Sequence, residues 1–203
     1  KAFLDKNMPL ISGSHADVSS YTVENRQLSA SGTSLANASQ FVGYNGSTDQ
    51  PSAILLKNNG LHVEIVIDPD HPIGKTDKAG VADITMESAV STIMDCEDSV
   101  AAVDGEDKTL AYTNWLGLMR RDLTEEVVKG GKTLTRSLNP DREYPAVDGS
   151  PLSLKGRSLM LVRNVGHLMT NPAILDRDGL EAGEGLMDAI CTSMIAIHDL
   201  KRE

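Results

Sequence analysis

Two short apolar runs that end in charge set the tightest limit on how this chain can fold. Val90–Cys96 (VSTIMDC) runs into the acids Asp95, Glu97 and Asp98, and Ser158–Arg163 (SLMLVR) ends on Arg163. Each is followed at some distance by an amphipathic helix pattern. The first spans about Asp104 to Met119, with Asp104 as N-cap, Asp107 three residues on, and Ala111, Trp115 and Leu118 on one face. The second spans about Glu184 to Leu200, with Leu186, Ile190, Met194 and Ile197 on one face. A buried strand with a charged C-terminal end, then a helix, repeated once, is the β/α rhythm of parallel sheets and barrels.

The first half has a different character. Residues 1–60 are rich in Ser, Gly and Asn, which suits short strands and loops. Ser52–Leu56 leads into Asn58-Asn59-Gly60, and Leu61, Val63, Ile65 and Ile67 then alternate with His62, Glu64 and Val66. That pattern predicts a hairpin with a half-buried second strand. Residues 68–80 read as a loop. Past the break at Gly130-Gly131, Thr133–Leu138 is a strand candidate, and residues 139–156, rich in Pro, Asp and Gly, read as a loop.

Composition narrows the function. The formal net charge of -10 argues against nucleic acid or an anionic membrane as the main partner. Aromatics are 3% of the residues, so the core must come from Leu, Ile, Val, Met and Ala. No apolar run reaches the length of about 18 residues needed to span a bilayer. Cys96 and Cys191 form no CxxC pair, and two reduced thiols in a cytoplasmic protein is the simplest reading. The first residues, KAFLDKNMPL, have neither an initiator Met nor a signal-peptide pattern, so an internal piece of a longer protein is expected.

Asp95-Cys96-Glu97-Asp98-Ser99 is the densest chemical signal. Its carboxylates repel one another and call for a compensating cation or Arg. They fit a strand-end site holding a divalent cation directly or through water, and they equally fit a solvated acidic turn capping the next helix. Arg163, in Arg163-Asn164-Val165-Gly166-His167, can fork onto a small carboxylate or carbonyl oxygen, or can pair with the acidic cluster and hold the loops together. His167 is a candidate base, although a lone loop His is more often structural. Gly74-Lys75-Thr76 and Gly131-Lys132-Thr133 are not P-loops, because Pro69 and Glu126 stand where the first Gly is required.

Longer stretches resemble the malate synthase G family: SLANASQFVGYNGS (34–47), GLHVEIVIDPDHPIGKTDKAGVADI (60–84), TIMDCEDSVAAVDGEDK (92–108), NWLGLMRRDL (114–123), GRSLMLVRNVGHLMTNPAILDRDG (156–179) and GLMDAICTSMIAIHDLK (185–201). The resemblance implies an α/β fold: partial TIM (β/α)8 barrel strands and helices with an inserted α+β domain. Residues 1–86 and 121–157 would form the inserted domain, and residues 87–120 and 158–203 would each supply a barrel strand and helix. It implies a cytoplasmic, monomeric enzyme of the glyoxylate cycle that condenses acetyl-CoA with glyoxylate and water to malate and CoA. Arg163 then matches the catalytic Arg that binds glyoxylate, Ser99 and Arg136 match acetyl-CoA contacts, and Asp95 and Glu97 match acids near Mg²⁺ that reach it through water. The direct Mg²⁺ ligands and the catalytic Asp are expected further along a longer chain, so this stretch alone is expected to be inactive. Another Mg²⁺-dependent barrel lyase acting on CoA thioesters, or a non-catalytic assembly domain, are the competing readings.

Overall fold

Asn59 and Gly60 take positive φ values of 49° and 83°, the backbone of a tight hairpin turn whose twist matches its strands. They join two strands of a mixed α/β fold, which a computed structural model describes for residues 1–87 and 91–202. The chain runs α1 (Ala2–Asn7), β1 (Tyr21–Glu24), β2 (Gln27–Ala30), β3 (Thr33–Ser34), β4 (Phe41–Gly46), β5 (Pro51–Asn58), β6 (Leu61–Ile67), β7 (Val81–Met86) and β8 (Ser91–Asp95). It continues through α2 (Gly105–Arg120), β9 (Thr124–Lys129), β10 (Lys132–Ser137), β11 (Arg142–Pro145), β12 (Pro151–Leu154), β13 (Leu159–Arg163), β14 (Thr170–Leu175), β15 (Glu181–Gly183) and α3 (Glu184–Leu200).

Two compact units divide the chain: Lys1–Ser88 with Asp141–Leu154, and Ala89–Pro140 with Lys155–Glu203. Residues 121–140, grouped with the inserted domain in the sequence reading, lie in the second unit.

In the first unit, β4, β5, β6 and β7 form an antiparallel sheet in that order, beside a three-stranded sheet of β1, β2 and β3. Strand β5 is apolar on both faces because both are covered. Ile54 and Leu56 join Val63, Ile65, Leu4, Met8 and Leu28 in one core, while Ala53 and Leu55 pack with Tyr144 and Leu154 in another. The second core corrects the sequence reading of residues 139–156 as loop. They form the antiparallel hairpin of β11 and β12, in which Tyr144 and Leu154 are the buried positions. The Pro and Gly that suggested a loop sit at the strand ends and in the turn between them.

His15 is fully buried in this unit, and its protonation state follows from its partners. Nε2 lies 2.9 Å from the Met8 carbonyl, which can only accept, so Nε2 carries the proton and Nδ1 accepts from the Tyr21 hydroxyl at 2.9 Å. Burial lowers the imidazole below its ordinary value of 6.5. Below that value the unfolded chain binds a proton that the folded chain refuses, so stability falls as pH drops through this range. The expected result is a lower denaturation midpoint at about pH 5.5 than at about pH 7.5, with the His15 ring titrating by NMR below the ordinary 6.5. A His15 ring that titrates at or above that value in the folded protein, or a midpoint that rises on acidification, contradicts the assignment.

The second unit is built around a parallel pair, β8 with β13, in the register Leu159↔Ser91 to Arg163↔Asp95. Val90, counted in the first apolar run, lies outside the described residues. Helix α2 starts as the sequence indicates. The Asp104 side chain accepts from the N–H of Glu106 and Asp107, and the Asp107 carboxylate accepts in return from Val103 N–H, a reciprocal cap. The hairpins of β9 with β10 and of β14 with β15 complete the unit. No closed barrel forms among the described residues, and β8 and β13 have no further strand neighbours there.

The apolar face of α3 expected from the sequence is exposed at Leu186, Ile190, Met194 and Ile197, as are Ile93, Leu159 and Leu161 on the parallel pair. The buried residues of α3 are Glu184, Gly185, Met187, Asp188 and Thr192 instead. The two strands and two helices of this unit leave that apolar surface open among the described residues. No described helix is long and apolar enough to cross a membrane.

Candidate active site

Strands β8 and β13 run the same way and end level, so their last residues, Asp95 and Arg163, stand side by side. The Cys96 N–H donates to the Arg163 carbonyl at 2.9 Å and closes the ladder one step beyond. The side chains then meet in a fork. Arg163 Nε donates to Asp95 Oδ1 at 2.8 Å and Nη2 to Asp95 Oδ2 at 2.6 Å. Nη2 is also in very short contact with Asp98 Oδ2. This fork consumes one edge of the guanidinium. Nη1 makes no hydrogen bond to a described residue, and the side chain is 47% exposed.

Asp95 is further fixed by the turn that follows it: its Oδ1 accepts from the N–H groups of Glu97 and Asp98 at 3.0 and 3.2 Å. The Arg163 guanidinium, helped by those two N–H groups, holds the Asp95 carboxyl down to about 2. Asp95, and then Asp98, push the Arg163 guanidinium up in turn. Both stay charged at any physiological pH.

The remaining sequence candidates are placed more loosely. Glu97, Asp98 and Ser99 are exposed in the turn after β8, and His167 is exposed in the loop after β13. Arg136 is exposed on β10, opposite Glu125 of β9. No hydrogen bond or ion pair among the described residues joins Arg136 or Ser99 to Arg163. No group of three His, Cys, Asp or Glu among the described residues is placed to hold a metal ion. Both Asp95 oxygens are already taken by Arg163 and the turn N–H groups.

A second set of polar residues, which the sequence reading did not single out, lies where α2, α3 and the loop after β13 meet. Lys108, Glu184 and Asp188 form a buried ionic cluster, with Lys108 Nζ 2.5 Å from Glu184 Oε1 and 2.8 Å from Asp188 Oδ1. Burial by itself would lower the Lys108 ammonium, but its bonds to Asp188 and Glu184 outweigh that and raise it. The signal was in the sequence: Lys108 and Tyr112 are one helical turn apart, as are Glu184, Asp188 and Thr192. The apolar stripe on the other side of α3 hid it.

A small cavity of about 40 Å³ in the first unit, lined by His62, Glu64, Glu87 and Arg142 among others, has room for little more than a water molecule.

Residues 1–58 match the family model described as malate synthase G, alpha-beta insertion domain. Along 98% of its length the chain is 57% identical to malate synthase G of Halalkalibacterium halodurans. It is 55% identical to the malate synthase G of Corynebacterium efficiens over 96% of the chain, and 54% identical to that of Corynebacterium glutamicum over 97%. The chain spans 28%, 26% and 27% of those relatives.

Proposed function

Because the chain belongs to the malate synthase G family, covering about a quarter of the length of its curated relatives, we propose that it supplies part of an active site condensing acetyl-CoA with glyoxylate and water to malate and CoA. The observation that carries this reading is the fork of Arg163 on Asp95 and Asp98 at the level ends of two parallel strands. Such strand ends are where barrel enzymes build their sites. The exposed apolar faces of β8, β13 and α3 suit a position within a larger barrel, whose further strands and helices would cover them.

In this site Asp95 and Asp98 aim the guanidinium, and the free Nη1 edge meets glyoxylate. The enol carbon of acetyl-CoA attacks the aldehyde carbon, a C–C bond forms, and the aldehyde oxygen becomes an alkoxide. The positive charge and N–H groups of Arg163 are worth most at that moment, since they are already oriented toward the charge as it develops. Hydrolysis of the thioester by water then releases malate and CoA. The base that removes the methyl proton is expected outside these residues. Mg²⁺ belongs to the same reading, with its direct ligands beyond this stretch. The three acids Asp95, Glu97 and Asp98 outnumber Arg163, so an anionic substrate needs a further cation nearby. A cytoplasmic location is part of the proposal.

Ser99 and Arg136 are read as acetyl-CoA contacts, Arg136 to a CoA phosphate. A phosphate contact is the same in ground and transition states, so Arg136→Ala in the full-length enzyme is expected to raise the acetyl-CoA KM more than it lowers kcat. Steady-state kinetics with acetyl-CoA varied check this, and a collapsed kcat at unchanged KM would place Arg136 in the chemistry instead.

The reading as a whole is tested by following free CoA released from acetyl-CoA by the purified full-length protein. Release is expected only with glyoxylate present and in equal amount to malate. Thioester cleavage that ignores glyoxylate would make the protein a different CoA-thioester enzyme.

A further inference from the structure

Helices α2 and α3 meet along polar side chains that converge on one carboxylate. Asp188 is fully buried, and its two oxygens do different jobs. Oδ1 faces α2, where it accepts from Lys108 Nζ at 2.8 Å and from the Tyr112 hydroxyl at 2.5 Å. Oδ2 accepts the backbone N–H of Val165 at 3.0 Å, two residues beyond Arg163. The same face of α3 grips that loop twice more. Thr192 Oγ1 donates to the Asp188 carbonyl at 2.7 Å and lies 3.1 Å from Asn164 Oδ1, and the Glu184 N–H donates to the Met169 carbonyl at 2.9 Å. Gly185 lets the helix approach this closely, since a Cβ there would fall 2.4 Å from the Val165 carbonyl oxygen.

We infer that Asp188 is a positioning residue for Arg163: it fixes the backbone that carries the guanidinium, as Asp95 and Asp98 fix the guanidinium itself. A seam that only had to hold two helices together would cost less with apolar side chains, because burying three charges carries a large desolvation penalty. An apolar side chain cannot accept the Val165 N–H, and a buried N–H must have a partner. Lys108 and Tyr112 occupy Oδ1 so fully that the carboxylate has one orientation, with Oδ2 on Val165. The strand end is thereby held in one place, which is what a transition-state donor needs, since a displacement of about 1 Å in a reacting group can cost about 10²-fold in rate.

The inference rests on Arg163 acting in the condensation, and its test separates the two claims. In the full-length enzyme, Asp188→Asn keeps the shape, but its amide has one oxygen to serve both α2 and Val165. Its kcat is expected to fall about 10²-fold with the acetyl-CoA KM within about twofold of wild type. Trp115→Phe is the control. It removes the bond from Trp115 Nε1 to the Thr192 carbonyl at 3.1 Å without touching residues 163–165, and is expected to lower Tm while kcat is kept. Should Asp188→Asn fail to fold, Tyr112→Phe carries the test: it removes one of the two donors that orient Oδ1, and kcat is expected to fall about tenfold or more. Wild-type kcat in a folded Asp188→Asn, or in Tyr112→Phe where that variant is used, overturns the inference even when Arg163→Lys is inactive. Wild-type kcat in Arg163→Lys overturns it together with the glyoxylate reading.

Discussion

Arg163→Lys in the full-length enzyme is expected to lose roughly 10²–10³-fold in kcat, the usual effect of removing one preorganised donor to a developing oxyanion. The loss comes from geometry rather than charge. The guanidinium serves Asp95 with Nε and Nη2, reaches Asp98 with Nη2, and leaves Nη1 without a hydrogen bond to a described residue. An ammonium is a point charge on a flexible stem. It can satisfy the carboxylates or face the substrate, and the acids beside it will capture it. Melting should change little, because the Arg163 side chain is 47% exposed and ion pairs this open to water contribute little to stability. The acetyl-CoA KM should also hold. Steady-state kinetics with a thermal melt of the same preparation read all three. A near-normal kcat would reduce Arg163 to a counter-ion for Asp95 and Asp98.

Lys108→Met is expected to have the largest effect on stability, a loss of about 3–5 kcal/mol, the cost of removing one partner from a buried ion pair. Methionine keeps the aliphatic stem but removes the ammonium. Glu184 and Asp188, 5% and 0% exposed, are then left as buried carboxylates with no cation. Two negative charges buried side by side without a cation disfavour the folded chain. Chemical denaturation at neutral pH measures the loss. A deficit under about 1 kcal/mol, in the range of surface pairs, would mean that water reaches the cluster.

What could be read from the sequence divides along physical lines. Local signals held. The Asp104 cap, the start of α3 at Glu184, the Asn59-Gly60 turn and the inward positions Val63 and Ile65 of Leu61–Ile67 depend on neighbours a few residues away, while Leu61 is exposed. Charge at the ends of two apolar runs also led to Asp95 and Arg163, which the structure pairs directly. Non-local partners were out of reach. Strand β11 was hidden because its reason to be a strand, the second face of β5, lies far earlier in the chain. The cluster of Lys108, Glu184 and Asp188 was hidden because charged residues are ordinarily placed outside, and here the polar stripe of α3 is the buried one. Its apolar stripe is open, so periodicity located the helix and misled about which face it buries.

The central claim is that the free edge of Arg163 is a glyoxylate site, and a crystal structure of the full-length enzyme soaked with glyoxylate tests it most directly. The expected result is a glyoxylate oxygen within hydrogen-bonding distance of Arg163 Nη1, with Nε and Nη2 still on Asp95. Glyoxylate bound elsewhere, with Nη1 facing only solvent, would contradict it.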